Sequence, residues 1–270
     1  MAAPSDAPRR ARRGDVASAP RTAAVWEVVS RTAAALQRAQ PDADAPLTVL
    51  DVGGGTGGLA VPLASLGHHV TVVDPSPDAL AALARRAEEA GVVGRITAVQ
   101  ADAAQLAQVV GPGSVDLVCC HGVLEYVDEP AEAVGAVADV LRDGGAASLL
   151  VAQRLAVVLA RALAGRFAEA VHALDDPAGR WGMADPLPRR FDATDVIALA
   201  EAAGLSTSSD LAVVHGVRLF SDLVPEALVD SEDARTALLD LERQAGDHPD
   251  HPELASLAAQ LHVVAVREPR

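Results

Sequence analysis

The segment Val49-Leu50-Asp51-Val52-Gly53-Gly54-Gly55-Thr56-Gly57-Gly58 constrains the fold of this chain most. A short apolar run bounded by Pro46 and glycines reads as a buried parallel strand, and it delivers a carboxylate to a glycine-rich turn that opens into a helix. Glycine lacks Cβ, so the backbone can approach a ligand closely there, and the helix N-terminus presents unpaired N–H groups to an anionic part of it.

The same alternation continues downstream. Apolar runs at 69–73, 95–100, 115–120 and 145–151 predict strands, separated by helical patterns at 57–66, 76–90 and 131–141 and a helical turn after 103. Strands alternating with helices imply an α/β fold, a parallel sheet covered on both faces with right-handed crossovers. Before it, Val25, Val28, Val29, Ala33 and Leu36 mark an amphipathic helix over 21–40, ended by Pro41. Gly144 and Gly145 fit a helix stop and a tight turn into the fifth strand.

After residue 151 the rhythm changes. Helical pattern over 154–172 gives way to DDPAGRWGMADPLPRRF, then a helix over 193–203 ends at Gly204. Runs at 210–220 and 261–267 are expected to pair as an antiparallel hairpin at a sheet edge. Residues 152–191 therefore read as a helical lid or substrate insertion in one domain spanning 21–270. Residues 1–20, with Arg9, Arg10, Arg12 and Arg13 among Pro and Ala, read as a disordered arm.

Composition excludes several classes. The chain has 270 residues with 22 basic and 37 acidic side chains, a net charge of −15, so broad neutralisation of nucleic-acid phosphates is excluded and only local basic patches can serve. No apolar run approaches the ~20 residues needed to span a bilayer, and the first twenty residues lack the apolar centre of a secretory signal. Cys119 and Cys120 are adjacent and cannot staple distant segments or complete a zinc site. His248 and His251 have metal-like spacing but sit among prolines. The expectation is a cytoplasmic protein with no membrane and no metal partner.

The second strand ends at Asp74 in VTVVDPS, where a carboxylate can accept hydrogen bonds from ribose hydroxyls. Gly53, Gly55 and Gly58 satisfy the G-x-G-x-x-G spacing of dinucleotide-binding proteins, which keeps a nicotinamide-binding oxidoreductase as an alternative. Asp51 argues against it: a carboxylate before the turn repels a pyrophosphate and suits the methionine ammonium of S-adenosyl-L-methionine. Gln100-Ala101-Asp102-Ala103 adds an acid and backbone groups near an adenine edge. Gly53, Gly54, Gly55, Asp51, Asp74, Asp102 and Ala103 are thus the cofactor candidates.

Through DVGGGTG, VVDPS, QADA and CHGVLEYV the chain resembles the class I S-adenosylmethionine-dependent methyltransferases. The resemblance implies a Rossmann-like, mostly parallel seven-stranded sheet with a reversed final strand. HGVLEYV, LSTSSDLAVVHGVRLFSDLVP, RLAVVLARALAGRF, the helix around Arg21 and Trp26, and LLDLE at 238–242 resemble the tRNA carboxymethoxyuridine methyltransferases, which methylate the carboxylate of a modified wobble uridine. By that resemblance Arg21, Gly53, Gly54, Asp74, Ala103 and His121 fall on cofactor contacts. Two departures bear on the acceptor: a basic run of the family is Leu174-Asp175-Asp176-Pro177-Ala178-Gly179-Arg180 here, and an asparagine after the fifth strand is Gln153. The acceptor is accordingly a tRNA or a small molecule under the lid, with a protein that binds the nucleoside without turnover as the non-enzymatic alternative.

A carboxylate acceptor is already ionised and needs no general base; a phenol or amine would use one. His121, at the end of the fourth strand, is the titratable nitrogen placed for a catalytic or cofactor-contacting role, with Glu125 four residues on either to orient it or to face solvent. Tyr126 reads as stacking on a base or as core filling in the cleft wall. Arg218, with Arg189 and Arg190, is placed to hold an acidic acceptor through a bidentate guanidinium contact.

Overall fold

The computed structural model describes residues 20–269, and the side chains of residues 20–22 and 226 lie outside the described set. The expected arm and the Arg21 side chain therefore fall outside it. In chain order the elements are α1 (Pro20–Ala39), β1 (Thr48–Val52), α2 (Ala60–Ser65), β2 (His69–Val73), α3 (Pro77–Ala90), β3 (Ile96–Val99), α4 (Leu106–Val110), β4 (Val115–His121), α5 (Pro130–Val140) and β5 (Leu141–Ala152). Then follow α6 (Arg154–Leu163), α7 (Phe167–Asp175), α8 (Ala193–Ala202), β6 (Leu205–Ser206), β7 (Val213–Val217), α9 (Glu232–Gly246) and β8 (Gln260–Arg267). Local chemistry sets many of these bounds. Ser76 caps α3 by accepting from Ala79 N, Pro77 takes its first turn, and Gly91 closes it with φ 70°.

The strands form one sheet in the order β3-β2-β1-β4-β5-β8, with β6 and β7 both along the outer edge of β8. β1 to β5 are parallel, and β8 runs antiparallel to β5, β6 and β7. On one face, Val28, Val29 and Ala33 of α1 pack with α2 and α3; on the other, Val134 and Val137 of α5 pack with Leu106 and Val196. Crossover helices thus cover both faces, which leaves the carboxyl ends of the parallel strands as the place for a ligand.

Three expectations on element bounds change. The sheet has eight strands rather than seven, because the edge position is divided: Ser206 Oγ accepts from Ser208 N, and this hydroxyl-rich stretch satisfies its own backbone instead of the ladder. Gly144 and Gly145 lie inside β5, not ahead of it: Val115 pairs with Leu141 and Leu117 with Ala146, a bulge that includes Gly144 at φ 78°. The helix expected over 154–172 is two, α6 and α7, parted at Gly165 with φ 72°. The antiparallel edge pairing is as expected, between β7 and β8.

Candidate functional site

The glycine turn is built against two neighbours. Gly53 N donates to Val73 O at 2.7 Å, and a Cβ on Gly53, at φ 66°, would stand 2.5 Å from Val123 Cγ2. A Cβ on Gly54 would stand 2.5 Å from Asp51 Oδ2 and 2.9 Å from Val72 Cγ1. Gly55 N donates to Asp74 Oδ2 at 2.9 Å, and Asp74 Oδ1 accepts from Ser76 N at 2.8 Å. Each oxygen of Asp74 thus keeps a lone pair for a ligand hydroxyl.

A cavity of ≈ 620 Å³ lies across the carboxyl ends of β1, β2 and β4, lined among others by Gly53, Asp74, Asp102, Ala103, Gly122 and Tyr126. Its size suits a nucleoside-sized ligand. Asp102 is partly committed already, capping residues 103–105 through Ala104 N while its own N–H donates to Gln105 Oε1. Asp51 is not among the lining residues; it sits beneath Gly54, 2% exposed, with Oδ2 buried and unpartnered. Burial, then the charge of Asp74, push its pKa up to about 7. A buried carboxylate that is hydrogen-bonded to the backbone of Ala60 but keeps Oδ2 without a partner, under a turn with no room for Cβ and beside an acid poised for ribose, fits a nucleoside that carries a cationic group.

At the end of β4, His121 Nε2 lies 2.8 Å from Ser148 Oγ, which lies 2.7 Å from His262 Nε2. Burial lowers the His121 pKa to about 4, so the ring is neutral near pH 7. Glu125 does not orient it. Its Oε1 accepts from Ala152 N at 2.7 Å, while Oε2 is buried without a partner and burial raises its pKa. Tyr126 lines the cavity but is 60% exposed, so it does not fill the core.

A second cavity, ≈ 260 Å³, opens where β5 ends and β8 begins, between α6 and residues 218–223; Gln153, Val157, Arg190, Arg218 and Leu219 help line it. Among the described residues Arg218 alone combines a side chain with positive φ, 63°. Its Nη2 pairs with the Asp222 carboxylate, and its Nε is buried without a partner. The other two arginines are occupied. Arg190 makes a buried bidentate pair with Asp185 at 2.7 and 3.0 Å, and Arg189 donates to Asp128 O. Gln153 does not reach toward the lid; its Nε2 donates to Ala255 O and Ala258 O, bracing the segment before β8.

Sequence reasoning did not single out Ser148 or His262. The available signal was a polar residue inside an apolar strand, AASLLVA and LHVVAV. His248 and His251 stack 5.0 Å apart, and among the described residues no group of three or more His, Cys, Asp or Glu side chains is placed to hold a metal ion. Nor is any described helix long and apolar enough to cross a membrane.

Comparison with known proteins adds to this geometry. Residues 49–145 match the family model described as a methyltransferase domain. The tRNA 5-carboxymethoxyuridine methyltransferase of Escherichia coli (strain K12) is 30% identical over 251 residues, covering 93% of this chain and 88% of that one. The ubiquinone biosynthesis O-methyltransferase of Paraburkholderia xenovorans (strain LB400) is 38% identical over 98 residues, only 36% of this chain and 41% of that one. Among solved structures, geranyl diphosphate C-methyltransferase from Streptomyces coelicolor A3(2), in complex with S-adenosyl-L-homocysteine, is 16% identical with a TM-score of 0.55, covering 91% of this chain and 76% of that chain. The 4+2 cyclase SpnF is 18% identical with a TM-score of 0.56, covering 92% and 83%. These two share the fold, and their different reactions show that the fold alone does not choose one.

Proposed function

This chain belongs to the S-adenosylmethionine-dependent methyltransferases, in the family of the tRNA 5-carboxymethoxyuridine methyltransferases, and we propose that it O-methylates the carboxylate of a carboxymethoxyuridine at a tRNA wobble position in the cytoplasm. The observation that carries the proposal is the extent of the likeness. The Escherichia coli relative matches 93% of the chain, which takes in the lid and the Arg218 segment, whereas the ubiquinone enzyme matches 98 residues, 36% of the chain. The family match also sets aside the nicotinamide reading.

When bound, S-adenosylmethionine supplies an electrophilic methyl group on its sulfonium. In the proposed site Asp74 holds the ribose hydroxyls, and Asp102 and Ala103 meet the adenine edge. The backbone of Gly53, Gly54 and Gly55 lies along the methionine part, with Asp51 as the buried counter-charge to its ammonium; His121 completes the contacts. Arg218 takes the acceptor carboxylate, since its guanidinium belongs to a residue that lines the ≈ 260 Å³ cavity. The acceptor needs no base, so the contribution of these residues is orientation, worth up to about 7–11 kcal/mol in a well-aligned site.

A small acidic metabolite is the second reading, favoured by the net charge of −15. Labelled S-adenosylmethionine, supplied with RNA and separately with small-molecule extract from cells lacking the protein, decides between them. Label in tRNA, recovered as a methyl ester of the modified uridine, supports the proposal; label confined to small molecules overturns it.

A further inference from the structure

The register across β4, β5, β8 and β7 places His121, Leu150, His262 and His215 in one row. Paired residues on neighbouring strands project to one face, and Ser148, two residues before Leu150, shares it. Ser148 and His262 are both fully buried, and Ser148 Oγ is within hydrogen-bond distance of a ring nitrogen on either side, His121 Nε2 and His262 Nε2. The His121 and His262 rings meet edge to face with centroids 5.4 Å apart.

A serine hydroxyl has one proton to give. Two accepting nitrogens would need two hydroxyl protons, and two donating nitrogens would strand the hydroxyl proton in the core. One ring therefore donates and the other accepts. His262 settles the direction, because its Nδ1 is buried with no partner. A buried orphaned N–H is the rarer and costlier defect, so Nδ1 is the bare nitrogen and His262 carries its proton on Nε2. That proton goes to Ser148 Oγ, the hydroxyl proton goes to His121 Nε2, and the His121 proton is left on Nδ1.

We propose that Ser148 and His262 are positioning residues that fix His121 as its neutral Nδ1–H tautomer, a hydrogen-bond donor toward a carboxylate oxygen of a ligand beside Gly122 in the cofactor cavity. Among the described residues, burial of His121 outweighs the backbone hydrogen bond with Ser148 that favours its charged form. Burial disfavours the charged forms of His121 and His262, and His215 lies beyond, with Asp247 Oδ2 3.8 Å from its Nδ1 and Glu27 and Arg31 of α1 opposing each other in sign. The ligand contact rests on the cofactor placement proposed above; the tautomer does not.

Nitrogen-15 NMR of the histidine rings in the full chain tests the assignment. The wild-type His121 ring is expected as Nδ1–H. In Ser148→Ala it shifts toward Nε2–H and methyl transfer falls roughly tenfold, the effect of one lost hydrogen bond, with recovery of both in Ser148→Thr. An Nε2–H ring in the wild type overturns the proposal even if no variant folds, as does an unchanged tautomer in Ser148→Ala. Adding S-adenosyl-L-homocysteine separates the two layers: bound ligand that leaves the His121 ring signals unmoved overturns the contact while the tautomer stands.

Discussion

The two cavities are made from different materials. The larger one is made of backbone and short loops: glycines 53–55, Asp74 held by Gly55 N and Ser76 N, and a turn capped by Asp102. The smaller one is made of side chains brought together over long separations, with Gln153 bonded to Ala255 and Ala258 and Arg218 beside the start of β8. The first is the proposed cofactor site, and its glycines, Asp74 and Asp102 lie within residues 49–145, the stretch that matches the methyltransferase domain model. The second is the proposed acceptor site, and the likeness to the tRNA enzyme extends through it. On that proposal, binding of cofactor and choice of acceptor are separable by mutation.

The largest effect is expected in the turn. Gly54→Val sets a branched side chain where even Cβ lies 2.5 Å from a buried carboxylate oxygen and 2.9 Å from Val72. Overpacking of this kind costs about 1–3 kcal/mol. Loss of measurable S-adenosyl-L-homocysteine binding in calorimetry, with a lowered melting temperature, is the expected outcome; retained affinity breaks the assignment of the turn.

Arg218→Ala is next, with methyl transfer reduced about 100-fold, ~2.7 kcal/mol in barrier terms. Arg218→Gly sharpens the test, because φ 63° suits glycine and the change relieves backbone strain of about 1 kcal/mol. It should melt no lower than Arg218→Ala while transferring methyl groups no faster. A glycine variant with near wild-type turnover removes Arg218 from the acceptor site.

Asp51 gives a pH signature to the cofactor side. Its folded pKa, about 7, lies above the ordinary 3.8, so the folded chain holds this proton over a range where the unfolded chain has released it. Its contribution therefore makes the cofactor-free protein less stable as pH rises from about 4 to 7, and level above that. Asp51→Asn should melt above the wild type at pH 8, with the gap closing as pH falls toward 4, and should weaken cofactor binding. A gap independent of pH contradicts the raised pKa of this buried carboxylate.

The smallest effect belongs to the lid. The Arg161 guanidinium lies 3.8 Å from the Trp181 ring centroid and pairs with Glu169, so Arg161→Ala should cost about 0.5–1 kcal/mol of stability, read by urea denaturation. It should leave S-adenosyl-L-homocysteine affinity unchanged; a matching loss of affinity would tie the lid to the cofactor cavity.

The same contrast explains what the sequence made legible. β1, the glycine turn and Asp74 follow from local apolar periodicity and from glycine chemistry, and they stand where those rules put them. The positive φ of Gly165 and the bulge at Gly144 were less visible, because a glycine in a helical or strand pattern does not say whether it bends, caps or breaks the element. Ser148 and His262 are 114 residues apart and meet only through the pairing of β5 with β8. Arg190 was visible as a cation, but its capture by Asp185 depends on a loop conformation that no periodicity encodes.

Separability of the two cavities is tested most directly by measuring, on the same preparation of Arg218→Ala, the affinity for S-adenosyl-L-homocysteine and the rate of methyl transfer to tRNA carrying the carboxymethoxyuridine. Affinity within roughly twofold of wild type with transfer down about 100-fold is the expected pair of results. Transfer at the wild-type rate, or affinity and rate falling together, contradicts it.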